Sequence, residues 1–368
     1  MVAGTVSPDP VVVTHERGSY PVYIQTGALR RLQELVRDLL PGRRIVLIGD
    51  ARVCELYRSG RLGGVPWVVE MLTFDPGEKS KSRESWARLT DALMERGFGR
   101  DTGVIAMGGG VTGDLAGFVA ATYMRGVPYL QVPTTLLAML DASVGGKTGV
   151  DTPQGKNLVG AFHQPVAVIA DPHTLTTLPD REYRAGLSEA VKHGLIADET
   201  YFAWMEANAA ALAVRDLNAL AWLIRRSVEI KGEVVAGDER ESGRRAILNA
   251  GHTVAHALEK ASGYELPHGE AVAAGLIVEC EVAERLGVAH PGLRKRVAAL
   301  LDGLGVLERL PRSPGAPVLV ECMATDKKNR DGHIHFALPG GVGVIHRENG
   351  WTTAVPIATI RAALAMLE

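Results

Sequence analysis

The order of short apolar runs and amphipathic segments is the feature that most constrains this chain, because that order changes halfway along. In the first half, RRIVLIGD (Arg43–Asp50), PWVVEMLTF (Pro66–Phe74), GVIAMGGG (Gly103–Gly110) and PYLQVP (Pro128–Pro133) read as strands. Each is followed by a plausible helix, for example SRESWARLTDALMERG (Ser82–Gly97). Strands alternating with helices predict a parallel sheet with right-handed crossovers. After about Leu178 the segments LPDREYRAGLSEAVKHGLI, DLNALAWLIRRSVEIKGEVV, RRAILNAGHTVAHALEKAS and HGEAVAAGLIVECEVAERLG all carry apolar residues at helical spacing. HIHFALPGGVGVIHR (His333–Arg347) reads as a small hairpin. The expected fold is therefore an α/β domain over residues 1–178 and a mostly helical domain over 179–368. A cleft between them is the expected ligand site.

Length supports the division, since 368 residues exceed what one core usually fills. A net charge of −2 gives no electrostatic reason to expect nucleic acid or an anionic membrane surface. Cys54, Cys280 and Cys322 lie far apart without CxxC spacing, which argues against a disulfide framework or a thiolate zinc site. No apolar run approaches the ~20 residues that span a bilayer. The first residues also lack a signal-peptide pattern. The expectation is a cytoplasmic protein with no membrane partner.

The stretch DASVGGKTGVDTPQGKNLVGAF (Asp141–Phe162) contains Gly-Lys-Thr at Gly146–Thr148 but is not a P-loop. That motif requires a glycine where Asp141 stands. In AMGGGVTGDLAGF, glycines follow a strand and Asp114 sits near a helix start, a geometry that brings backbone amides close to a pyrophosphate. The G-x-G-x-x-G pattern is absent, and a tight turn needing glycine for steric reasons explains the same residues. Asp50, ending a strand, can serve a ribose hydroxyl or merely start a turn. Glu78 and Lys81 in DPGEKSKS stand at another strand edge, where a solvated charge cluster is the default.

Metal-type ligands gather in the second half. Glu189 lies in GLSEAVKHGL with Lys192 one turn away, NAGHTVAH carries His252 and His256 four apart, and LPHGEAV carries His268 and Glu270. Paired histidines at that spacing can face one metal, but they are also common on ordinary helix faces. Lys147, Lys156, Lys192, Lys231, Arg244 and Arg245 would suit an anion with more than one charged group if they converge. Adjacent helix positions such as Arg244 and Arg245 cannot both face one site squarely.

At this point the chain strongly resembles the 3-dehydroquinate synthases of the sugar-phosphate cyclase family. The resemblance lies in GGGVTGDLAGFVAATYMRG, VPTTLLAMLDASVGGKTGVDTPQGKNLVGAF, GLSEAVKHGLI, DERESGRRAILNAGHTVAHALE, HGEAVAAGL and DKKNRDGHIHFALP, in order from Asp50 to about Gly343. It implies an N-terminal Rossmann-like domain binding NAD, a helical C-terminal domain binding one divalent metal (usually zinc, with cobalt an alternative), and a homodimer. It also implies conversion of 3-deoxy-D-arabino-heptulosonate 7-phosphate to 3-dehydroquinate and phosphate, in the shikimate route to aromatic amino acids. NAD is regenerated within each turnover, through oxidation, phosphate elimination, reduction and an intramolecular aldol closure.

Residue by residue, the resemblance implies metal ligands at Glu189, His252 and His268, and moves His256 from the metal to the substrate phosphate. Lys147, Asn157 and Asn249 match phosphate contacts, and Arg125 matches an arginine reaching the phosphate from the partner subunit. Lys231 and Arg245 match the pair on the substrate carboxylate, and Asp141 and Lys192 match residues beside the reacting hydroxyls. Lys327 or Lys328 should also reach substrate. For NAD the matches are Asp50, Glu78, Lys81, Gly109, Gly110, Asp114, Thr134, Thr135, Lys156, Thr177, Leu178 and Glu182. Departures are confined to Ala142, Ala250 and Ala255, between matched positions. The rival readings are another cyclase, such as an aminodehydroquinate synthase or a 2-epi-5-epi-valiolone synthase, and a metal-dependent polyol dehydrogenase on a related fold. A binding protein without activity would require decayed site positions, and none is substituted.

Overall fold

Continuous burial along the middle of β3 (Arg44–Asp50) shows how the first unit is built: Val46 and Ile48 pack into a core on one face of a sheet, and Leu47 into a second core on the other. A computed structural model describes residues 9–62, 69–241, 243–307, 314–324, 333–348 and 350–367. The chain divides into two compact units, one formed by Met1–Pro179 with Leu217–Glu233 and the other by Asp180–Asp216 with Val234–Glu368. Leu217–Glu233 groups with the first unit although it lies in the helical half of the sequence.

The first unit holds β1 (Val11–His15), β2 (Gly18–Ile24), β3, β4 (Glu70–Phe74), β5 (Thr102–Gly108), β6 (Tyr129–Pro133) and β9 (Ala167–Ala170) in one seven-stranded sheet. Their order is β1-β2-β9-β6-β5-β3-β4, and every pairing is parallel except that of β1 with β2. The sheet is covered on one face by α3 (Arg83–Glu95) and α4 (Gly110–Thr122), through Leu89, Leu93, Leu115 and Val119. On the other face, α1 (Leu32–Leu39) and α2 (Ala51–Arg58) contribute Leu32, Val36, Cys54 and Tyr57. The four strands expected in the first half are present. Of Pro66–Phe74, Glu70–Phe74 is strand and residues 66–68 lie outside the described residues.

The Gly-Lys-Thr stretch is an antiparallel hairpin of β7 (Lys147–Thr152) and β8 (Gly155–Phe162), separate from the large sheet. The chain runs from β3 outward to β4 and then returns to place β5 on β3's other side. The C-terminal ends of β3 and β5 therefore flank the point where the winding reverses, which is where open α/β sheets bind ligands.

In the second unit, α9 (His268–Arg285) is buried along most of its length, from Gly269 through Ala283. A helix apolar all round belongs at a core centre. Around it pack α5 (Asp180–Ala197), α8 (His252–Ala261), α10 (Leu293–Gly303) and α12 (Ile357–Leu364). The helix expected over RRAILNAGHTVAHALEKAS is broken instead: Arg244–Asn249 form a 3-10 turn, and α8 begins only at His252. The interruption is Gly251, at φ +81°, a backbone region that side chains disfavour. The expected terminal hairpin is narrower than the sequence suggests. Pro339–Gly341 pairs with Val344–Ile345, whereas His335–Phe336 pairs with Thr353–Ala354.

Candidate functional site

Three helices of the second unit bring Glu189, His252 and His268 together. Glu189 lies within α5, whereas His252 and His268 are the first residues of α8 and α9. Glu189 Oε1 is 3.6 Å from His252 Nε2 and 3.4 Å from His268 Nε2. The two imidazole rings are 5.2 Å apart, and one ligand atom from each of the three residues lies within 4.8 Å of the others. Lys192, one turn along α5, pairs with Oε2 of the fully buried Glu189, so Oε1 is the oxygen turned to both imidazoles. His256 packs edge-on against His252 at 5.6 Å rather than entering this trio.

Close backbone approach fixes the arrangement. A Cβ on Gly269 would lie 1.9 Å from the Ala185 carbonyl oxygen, one turn before Glu189. A Cβ on Gly275 would lie 1.9 Å from the Gly251 carbonyl oxygen, just before His252. Ser188 Oγ, also buried, donates to the Gly269 carbonyl at 2.7 Å, and Glu279 accepts from the Gly251 N–H at 2.7 Å.

Burial, helped by the nearby Lys192 ammonium, holds the His252 pKa well below its ordinary value, so that ring is neutral. Burial opposes charge on His268 as well, but hydrogen bonds to Glu189 and Glu259 outweigh it and raise that pKa to about 9. Two imidazole nitrogens and a carboxylate oxygen are the donor set of a catalytic divalent-metal centre, with positions left open for other ligands.

Elsewhere in the second unit, Arg245 is buried and donates to the Glu239 carbonyl, while Arg244 is exposed. Asn249 Nδ2 donates to Glu241 at 2.7 Å, and Glu182 is exposed in the first turn of α5. Lys327 and Lys328 lie outside the described residues.

The first unit concentrates charge beside the end of β4. Lys81, 5% exposed, sits 2.9 Å from Glu78, 3.4 Å from Asp114 and 3.7 Å from Asp151. Lys156 lies 3.5 Å from the same Glu78 carboxylate. Burial works against the Lys81 charge, but Asp114, Glu78 and Asp151 more than compensate and raise its pKa. Burial raises Asp114 to about 6, with Lys81 only partly opposing it. Burial likewise opposes charge on Glu78, yet Lys81 and Lys156 hold it below its ordinary value.

Gly109 and Gly110 open α4, and a Cβ on Gly109 would come within 3.0 Å of Thr135. The Thr134 N–H donates to the Gly108 carbonyl, so β6 and β5 are joined at this end. Asp50 ends β3 and caps α2, accepting from the Val53 N–H at 2.8 Å. Thr177 and Leu178 close the 3-10 turn after β9. Asp141 and Lys231 form a direct pair, Nζ to Oδ1, at 2.8 Å. Lys147 is exposed at the start of β7, and Asn157 in β8 is exposed at φ +56°, its N–H donating to Asp151 at 2.8 Å. Arg125 is exposed at φ +65° on the turn after α4. Sequence reasoning missed Asp151, Glu241, Glu259 and Glu279. The spacing of Glu259, seven after His252 and three after His256, carried a signal for one of them, since it shares their helix face.

The family model for the 3-dehydroquinate synthase N-terminal region matches residues 71–185, and that for its C-terminal region matches residues 186–329. The 3-dehydroquinate synthase of Halorhodospira halophila is 49% identical over 88% of this chain and 91% of its own. A 2-deoxy-scyllo-inosose synthase structure, solved with carbaglucose-6-phosphate, NAD+ and Co2+, is 26% identical over 96% of this chain and 99% of its own, with TM-score 0.87. The 2-epi-5-epi-valiolone synthase of Streptomyces hygroscopicus, with NAD+ and Zn2+, is 31% identical over 97% and 99%, with TM-score 0.82.

Proposed function

The chain belongs to the 3-dehydroquinate synthase family and is an enzyme of that activity, and from this premise we propose how its residues divide the reaction. The first unit holds NAD and the second holds one divalent metal, zinc rather than cobalt, in a cytoplasmic homodimer. The convergence of Glu189, His252 and His268 carries this reading. The bound NAD+ and Co2+ or Zn2+ of the two cyclase structures support it.

Gly109 and Gly110 present amides at the start of α4 to the dinucleotide pyrophosphate, with Thr134, Thr135, Thr177, Leu178 and Glu182 along its length. Asp50 takes a ribose hydroxyl, while Glu78, Lys81, Asp114 and Lys156 form the charged wall beside it. When bound, NAD supplies transient oxidation at one substrate carbon and the metal polarises the oxygen there. Lys192 pairs with Glu189 Oε2 and so orients that carboxylate, and with Asp141 it serves the reacting hydroxyls. Lys231 and Arg245 hold the carboxylate. Lys147, Asn157, Asn249 and His256 hold the phosphate, with Arg125 of one protomer reaching its partner's.

Two anions fixed at a set separation keep a flexible sugar acid in one pose, where proximity contributes most to a ring closure. The departing phosphate is the candidate base for its own elimination. Lys231, Arg245 and Asn249 together fit a substrate with a carboxylate, which favours the heptulosonate over a sedoheptulose phosphate.

The test is phosphate release from protein supplied with NAD and zinc, comparing the heptulosonate phosphate, its amino analogue and sedoheptulose 7-phosphate. Release from the first alone, with no net NADH, is expected. Release from sedoheptulose 7-phosphate and none from the heptulosonate phosphate would overturn the substrate assignment.

A further inference from the structure

Glu259 stands behind His268, on the side away from Glu189. Its Oε1 is 3.5 Å from His268 Nδ1, while Nε2 of the same ring is 3.4 Å from Glu189 Oε1. Glu259 is 4% exposed, so its side chain is held in the interior. His252 is arranged the same way: its Nδ1 faces the Ala250 carbonyl at 3.1 Å, and its Nε2 faces Glu189. In both rings an acceptor stands at Nδ1 and Nε2 is turned toward Glu189, so that in the neutral, metal-binding form of each ring the proton belongs on Nδ1 and Nε2 is the nitrogen left to ligate.

We infer that Glu259 is a positioning residue for metal binding, fixing the orientation and tautomer of His268 and increasing the electron donation of its Nε2. The inference rests on the reading that Glu189, His252 and His268 hold a divalent metal. Carboxylates behind ligating imidazoles act in this way, and their loss typically weakens metal binding ~10–100-fold. The competing explanation is that Glu259 merely closes the packing of α8. On that account, a substitution that keeps its volume would leave metal affinity unchanged.

The experiment is zinc titration of metal-stripped protein against a chromophoric chelator, for the parent, Glu259→Leu and Glu259→Gln, with NAD titration alongside. Glu259→Leu should weaken zinc binding ~10–100-fold. Glu259→Gln, which keeps an acceptor oxygen but loses the charge, should fall between it and the parent. NAD affinity should be unchanged in both. A parent that takes up zinc while both variants bind it within about twofold would overturn the role of Glu259 alone. A parent that takes up no zinc would instead sink the metal-site reading on which the inference stands. Should the variants fold poorly, nitrogen NMR of the zinc-loaded parent decides. A protected proton on His268 Nδ1 supports the inference, and an Nε2-protonated ring overturns it.

Discussion

Gly275 in α9 lies so close to Gly251 that a Cβ on the former would stand 1.9 Å from the latter's carbonyl oxygen. That contact joins the central helix of the second unit to the turn that delivers His252. No flexible side chain is available to yield, because the opposing atom is backbone. Gly275→Ala should therefore cost at least the ~1–3 kcal/mol typical of overpacking and weaken zinc binding as well. Gly303→Ala is the control: no atom lies within 4 Å of its added Cβ, and its helical position should gain up to ~1 kcal/mol. Urea unfolding of both variants measures the difference. Equal stabilities would refute a tight α8–α9 seam.

Asp50 has two uses that substitution can separate. As the cap of α2, it accepts from the Val53 N–H, and Asn accepts equally well there. Asp50→Ala should lose about 1 kcal/mol of stability, whereas Asp50→Asn should lose almost none. Both should weaken NAD binding if the carboxylate serves a ribose hydroxyl. Thermal unfolding and NAD titration of the pair read the two roles independently. Parent-like NAD affinity in Asp50→Asn would leave Asp50 a cap only.

The contrast between what was legible in the sequence and what was not follows the range of the interactions. The central strands β3 to β6 announce themselves through apolar runs bounded by Gly, Pro or Asp. The four-residue β9, AVIA, offers too little pattern to be recognised alone and is fixed by its parallel partners β2 and β6. The break at Gly251 was equally hidden, since apolar spacing continues across it and only the packing of Gly275 demands the left-handed turn. For the site, spacing paired His252 with His256, four residues apart on one helix. The trio observed draws on three helices whose proximity local periodicity cannot encode. Lys81 reads as a solvated charge in DPGEKSKS, yet it is buried among Glu78, Asp114 and Asp151, two of them distant in sequence.

Stability should respond to the protonation of Asp114. Its folded pKa is raised to about 6 from an ordinary value of 3.8, so between roughly pH 4 and 6 the folded state binds more proton than the unfolded chain. The corresponding stabilisation is complete below about pH 4 and is lost as pH rises through 6. Lys81, raised above an already high value, loses its own contribution only in strongly alkaline solution and does not interfere. Comparing urea unfolding of the parent with Asp114→Asn should show the parent losing ground to the variant across that window. The slope should be no more than ~1.4 kcal/mol per pH unit. Parallel pH profiles would contradict the raised pKa.

Metal removal should lower the melting temperature through mass action, because an ion bound by the folded state alone stabilises it by RT ln(1 + [L]/Kd). At free zinc one hundred times Kd this amounts to ~2.7 kcal/mol. Zinc added back after chelation should restore the parent's melting temperature. Glu189→Gln should abolish that response, since the neutral amide is a poor ligand and the carbonyl must also face Lys192. The metal-free variant should itself melt below the metal-free parent, because the buried Lys192 ammonium has lost its counter-charge. These two effects separate cleanly: one depends on zinc concentration and the other does not. A Glu189→Gln protein that still gains stability with zinc would remove Glu189 from the ligand set.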